Sequence, residues 1–144
     1  MAFEVLTLVF TSFFASACVY VSFVEHPARL RLDGAAAVAQ WRPSYKRAAA
    51  MQITLVIAGV LSAIAAFVSG QGRGVLAGGA LLAAMAPFTL IVIMPTNRRL
   101  LDTSRPVDAT TLALLQDWGR LHMVRTVGSL VAVAILTADM LRRF

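Results

Sequence analysis

Four uninterrupted apolar stretches, each long enough to cross a bilayer, dominate this 144-residue chain. They run from about residue 3 to 24, 48 to 68, 75 to 94 and 123 to 141. A run of about 18 apolar residues reads as a spanning helix, and at ~1.5 Å per residue each stretch reaches ~30 Å, the hydrocarbon thickness of a bilayer. The helices of a soluble bundle carry a charged face opposite their apolar stripe. Here the second stretch holds nothing more polar than Gln52, Thr54 and Ser62. With 59% hydrophobic residues and a mean hydropathy of +0.78, the chain is predicted to be an all-α membrane protein. The expected architecture is one domain over residues 1–144, a four-transmembrane-helix bundle with two long, partly helical loops on one side.

Charge sets the predicted orientation. Arg29, Arg31, Arg42, Lys46 and Arg47 lie between the first and second stretches, and Arg98, Arg99, Arg105, Arg120 and Arg125 between the third and fourth. Four spans put both segments on one side, which the positive-inside bias assigns to the cytoplasm. Arg73, Arg142 and Arg143 fall on the other side, with both termini. The pI near 11.1 fits anionic headgroups of membrane lipid; no basic patch carries the interleaved aromatics that nucleic acid binding needs. Ala15-Ser16-Ala17-Cys18 resembles a lipoprotein cleavage box, but Glu4 precedes it, no Lys or Arg does, and the apolar run continues to Val24, so a retained spanning helix is expected. A single cysteine excludes an internal disulfide.

Lipid supplies no hydrophobic drive between helices, so close contact relies on small residues. Gly74 with Gly78 and Gly79, Gly59 with Ala63, and Ser12 with Ser16 form such faces, which can serve the bundle or a homo-oligomer. Pro87 is expected to kink the third helix and Pro43 to sit in the first turn of the second. Gly34–Trp41 is a strong helix former, and Leu112, Leu115, Trp118, His122 and Arg125 follow helical spacing behind Asp108, a plausible N-cap.

The polar residues converge on one rim. The first helix is expected to end at Glu25-His26-Pro27-Ala28-Arg29; Trp41 and Tyr45 precede the second span; Pro95-Thr96-Asn97 follows the third; Trp118, His122 and Arg125, spaced i, i+4, i+7, share a face entering the fourth. The chain's two histidines, His26 and His122, both lie there. Ionisable groups are costly near a membrane core, so they mark candidate sites. A loose internal echo, Pro27 to Arg47 against Pro95 to Arg125, suggests a parallel repeat about an axis along the membrane normal, with both histidines directed at the central cleft. Tryptophans at this depth also serve simply as interface-belt anchors.

His-Pro-x-Arg after the first helix, Trp-x-x-x-Tyr before the second, Pro-x-Asn after the third and Trp-x-x-x-His-x-x-Arg entering the fourth resemble a small integral-membrane family. That family was long catalogued as a domain of unknown function, and its functionally assigned members are fungal anthrone oxygenases. The resemblance runs along essentially the whole chain and puts His26, Arg29, Asn97, Trp118, His122 and Arg125 on motif positions. It implies oxidation of an activated phenolic carbon to a quinone with molecular oxygen, on a small hydrophobic substrate, in a bacterial inner membrane.

Two mechanisms fit these residues. In one, His26 or His122 takes a proton from the substrate, Arg125 and Asn97 stabilise the oxyanion, and Arg29, Trp41, Tyr45 and Trp118 bind the substrate. In the other, His26 and His122, with Glu25, hold a single transition metal, copper or iron, which activates oxygen; no HxxH, ExxH or CxxC spacing strengthens it. The first needs no cofactor. The rival class is non-catalytic: a small membrane protein that binds lipid, metal or a partner helix.

Overall fold

The computed structural model describes residues 2–143 of the chain. All its regular elements are helical: α1 (Ala2–Tyr20), a π-helical turn (Val21–Glu25), α2 (His26–Arg29), α3 (Gly34–Val68), α4 (Arg73–Phe88), a second π-helical turn (Thr89–Ile93), α5 (Met94–Leu101) and α6 (Ala109–Leu141). Each π turn joins its neighbours without a break, which leaves four continuous helices: Ala2–Arg29, Gly34–Val68, Arg73–Leu101 and Ala109–Leu141. All four are long and apolar enough to cross a membrane. Each contains one apolar stretch and overruns it at the basic rim.

The overrun corrects three expectations, and proline explains two of them. The first helix ends at Arg29, within the expected segment, but Pro27 does not impede it, and Pro95 lies inside the third helix and not after it. A proline lacks the N–H for the i→i−4 bond, and its ring collides with the carbonyl four residues back. Those carbonyls belong to Phe23 and Ile91, and both lie within π turns. There the ladder widens by one residue, with the His26 N–H bonded to the Val21 carbonyl and the Met94 N–H to the Thr89 carbonyl. The widened turn relieves the clash. Pro43 lies inside α3, not in its first turn. The start of that helix is fixed instead by Asp33, whose carboxylate accepts from the Ala36 N–H at 2.9 Å. The first long loop thereby shrinks to residues 30–33. Asp108 caps α6 as expected, accepting from the Thr111 N–H at 2.9 Å.

The helices pack as a ring in the order α1, α3, α4, α6, with little contact across the diagonals. Exchanging the two halves of the chain maps this ring onto itself and one π turn onto the other, the arrangement expected of a parallel repeat. Small residues bring the helices together. A Cβ on Gly79 would strike that of Ala63, and one on Gly78 would enter the Leu136 side chain. One on Gly59 would enter that of Leu82. These faces are therefore consumed inside the bundle, while Ser16 faces outward and Thr7, Thr11, Ala15 and Cys18 fill the inner face of α1. Between α3 and α4, Gly70 takes φ +76°. Its N–H bonds the Phe67 carbonyl and that of Gln71 the Ala66 carbonyl, both at 3.0 Å, which closes α3 with a Schellman motif. Large apolar side chains such as Phe13, Phe23, Leu61 and Ile91 project outward on all sides, which suits contact with lipid. At the far end, Arg143 bonds the carboxylates of Glu4 and Asp139 and ties the two ends of the chain together.

Candidate functional site

At the basic rim, Trp41 of α3 and Trp118 of α6 meet edge to face, centroids 5.6 Å apart. Tyr45, one turn after Trp41, stacks on it at 4.8 Å. Beneath them lies a cavity of about 170 Å³. Its walls are largely apolar: Phe14 and Val21 from the first helix, Val56 from α3, Met85, Ala86 and Met94 from the third. The cavity opens sideways between α3 and the second π turn, where Ile53 and Leu90 line it while facing outward, 57% and 62% exposed.

The polar residues occupy one end. His122 and Arg125 are both buried or half-buried lining residues on α6. The His122 Nδ1 is 3.1 Å from the Ser22 hydroxyl, which is 2.7 Å from that of Thr126. This chain fixes the imidazole and leaves Nε2 as the ring nitrogen with no hydrogen bond to protein. Arg125 donates from Nη2 to Gln52 Oε1 at 2.8 Å, and its guanidinium lies 5.3 Å from the Phe14 ring centroid. Asn97 is fully buried and does not line the cavity; its amide donates to the Tyr45 hydroxyl at 3.0 Å. Because that hydroxyl accepts from Asn97, its own O–H remains free to donate. Three buried N–H groups of lining residues have no acceptor: Arg125 Nε, Gln52 Nε2 and Trp41 Nε1.

Glu25 and Arg29 also line the cavity but are engaged with each other. Arg29 donates to Glu25 and to Gln40, and Glu25 accepts from Ser44 and from Gln40. This network clamps α2 to α3. On the opposite side of the rim, Arg42 donates to the carbonyls of Leu100 (2.9 Å) and Asp102 (2.8 Å), meeting acceptors left open at the end of α5. In the loop that follows, hydrogen bonds from Ser104 hold the Asp102 carboxyl below its ordinary pKa.

The histidines do not share the cleft. His26 lies in a separate shallow groove between the first helix and α6, with Ser22, Gln116, Gly119 and Met123. The Trp118 ring packs against both imidazoles, at 5.2 Å from His26 and 5.0 Å from His122. The His26 Nδ1 faces Arg29 Nη1 at 3.4 Å; a guanidinium only donates, so Nδ1 accepts and the proton sits on Nε2. That nitrogen is buried without a partner, against Gly119, where a Cβ would overlap the ring. Among the described residues no three His, Cys, Asp or Glu side chains gather as a metal site. His26, His122 and Glu25 in particular are divided between two cavities and an internal salt bridge.

So His122, Arg125, Trp41, Tyr45, Trp118, Arg29 and Glu25 come together, and His26 and Asn97 lie behind them. Gln52, Ser22 and Thr126 were not foreseen as parts of the site. For Gln52 the signal existed: a polar side chain inside the second apolar stretch, seven residues after Tyr45 and so on the same helical face. For Ser22 and Thr126 there was none, since serine and threonine are ordinary in membrane helices.

No curated protein and no solved structure matches the chain. The model of one family, described as anthrone oxygenase, matches residues 41–135. The matched segment runs from Trp41 through Tyr45, Gln52, Asn97, Trp118 and His122 to Arg125 and beyond, and stops short of Glu25, His26 and Arg29 on the N-terminal side. It covers well over half of the sequence, and the chain belongs to the anthrone oxygenase family.

Proposed function

We propose that the protein oxidises a small hydrophobic phenol, or the phenolic tautomer of an anthrone, to the corresponding quinone with molecular oxygen. One observation carries this reading: His122, Arg125 and the Tyr45 hydroxyl line a single apolar cavity. Membership of the anthrone oxygenase family supports the reaction class. The phenol O–H gives its proton to His122 Nε2, while Ser22 holds the other ring nitrogen. The phenolate oxygen receives hydrogen bonds from Arg125 and from Tyr45, and its charge spreads to the para carbon. That carbon donates an electron pair in forming a C–O bond to O₂, which is reduced to a peroxide. The peroxide takes the proton held by His122. Loss of the para hydrogen as a proton, with cleavage of the O–O bond, then leaves the quinone carbonyl and releases water. One oxygen atom enters the product and the other becomes water, so the substrate supplies all the electrons.

Asn97 acts in this scheme through Tyr45 and not on the oxyanion directly. The basic rim faces the cytoplasm, in keeping with the clustering of arginines there. The test is oxygen uptake by the protein in lipid nanodiscs with anthrone or a simple phenol. One O₂ consumed per quinone formed, without hydrogen peroxide, is expected, and His122→Ala should lower turnover about 10²- to 10⁴-fold. Unchanged uptake in His122→Ala removes the enzymatic reading and favours a bundle that binds lipid.

A further inference from the structure

The cavity is small for a three-ring compound. At about 170 Å³ it is close to the ~150 Å³ of an engineered protein cavity that holds benzene. Arg125 and Tyr45 both line it, and a guanidinium beside a phenolic O–H left free to donate calls for a ligand with acceptor oxygen. Small side chains, Ala49 on α3 and Ala86 on α4, also line it, and it leads past Ile53 and Leu90 to the outward, lipid-facing surface. A flexible chain can bend through that opening. The second and third rings of a tricyclic compound, rigidly coplanar with the first, cannot do so without parting the rim.

We infer that the cavity takes a monocyclic phenol or quinol head carrying an apolar chain, with the ring inside, its oxygen at Arg125, and the chain leaving between α3 and α4 into the bilayer. The inference rests on the reading above only in seating the ligand in this cavity; it concerns binding and stands apart from oxidation. The chain then makes no demand on the protein beyond the opening, because it stays in hydrocarbon throughout. The bilayer also concentrates such a ligand at the mouth.

Both tryptophans of the chain, Trp41 and Trp118, line the cavity, so quenching of intrinsic fluorescence reports occupancy without turnover. Nanodiscs carrying the protein are titrated anaerobically with a 3-alkylphenol, with phenol and with anthrone. The alkylphenol is expected to bind at least about tenfold more tightly than anthrone, a difference of about 1.4 kcal/mol. Ala49→Leu, which narrows the cavity at a half-buried lining position, should weaken the alkylphenol about tenfold more than it weakens phenol; Leu90→Ala, which widens the rim, should bring anthrone closer to the alkylphenol. Anthrone binding as tightly as the alkylphenol overturns the inference, as does an equal effect of Ala49→Leu on phenol and alkylphenol. Alkylphenol binding of the expected kind without oxygen uptake under air upholds the ligand class while removing the oxygenase reading.

Discussion

The pair formed by Asn97 and Tyr45 joins the stability of the bundle to its chemistry, and a double-mutant cycle separates the two. Asn97 is fully buried, its Nδ2 donates to the Tyr45 hydroxyl at 3.0 Å, and its Oδ1 has no partner. Tyr45→Phe therefore leaves an entire buried amide unpaired. An orphaned buried polar group costs about 1–3 kcal/mol, whereas hydrogen bonds between membrane helices average ~0.6 and reach ~1.7 kcal/mol. Since one half of the Asn97 amide is already unpaired, a loss of about 1–2 kcal/mol is expected for Tyr45→Phe. Asn97→Leu removes the whole amide, its unpaired Oδ1 included, and leaves the Tyr45 hydroxyl facing the cavity, where water or ligand meets it; its cost should be near zero. The double variant should then match Asn97→Leu, giving a coupling of about −1 to −2 kcal/mol. Unfolding in mixed micelles by added dodecyl sulfate, followed by circular dichroism, measures all four proteins. A double variant as unstable as the sum of the singles refutes the argument. Kinetics gives the second half: Tyr45→Phe deletes a donor to the substrate oxygen and should lower kcat, while Asn97→Leu keeps the donor but not its orientation, so its kcat should fall less. Equal kcat in all four would reduce the pair to a structural contact.

Gly119→Ala should destabilise the fold by about 1–3 kcal/mol, the usual cost of overpacking, because the new methyl group must displace an imidazole already held by Trp118 and Arg29. Adding His26→Ala to that variant should restore most of the loss in the same unfolding assay; no recovery would mean that His26 is not what Gly119 accommodates. At the start of α6, the N–H of Thr111 holds the Asp108 carboxyl below its ordinary pKa. A carboxylate lowered on folding contributes stability above its unfolded pKa of about 4, and that contribution is lost as pH falls through the lower folded value. Stability should thus be insensitive to this group at neutral pH and decline in acid. Asp108→Asn, which caps without titrating, should flatten that acid limb in a pH series, and an identical limb in both proteins would assign it to other carboxylates.

Much of the architecture was written in local sequence. Apolar runs of bilayer length leave a backbone no choice but the helix, since no other single-segment structure satisfies its own N–H and C=O groups in hydrocarbon. Asp108 was readable as a cap, and the i, i+4, i+7 spacing of Trp118, His122 and Arg125 does set them on one side of α6, where all three line the cavity. The prolines were misread because helix-breaking is a property of the α-helical ladder, and Pro27 and Pro95 follow π turns in which that ladder has already widened.

Where each histidine faces could only be decided by tertiary structure. His122 reaches the cavity because α6 turns that side toward α3 and α4, whereas His26, carried past the π turn on α2, meets Gly119 on the other flank of the same helix. Sequence determines which residues share a helix face and at what depth; it is the packing of four such faces, set by close approaches at glycine and alanine, that determines which of them enclose a common space. Trp118 fills the space between the two imidazoles, and so makes of one apparent pair a cavity residue and a groove residue.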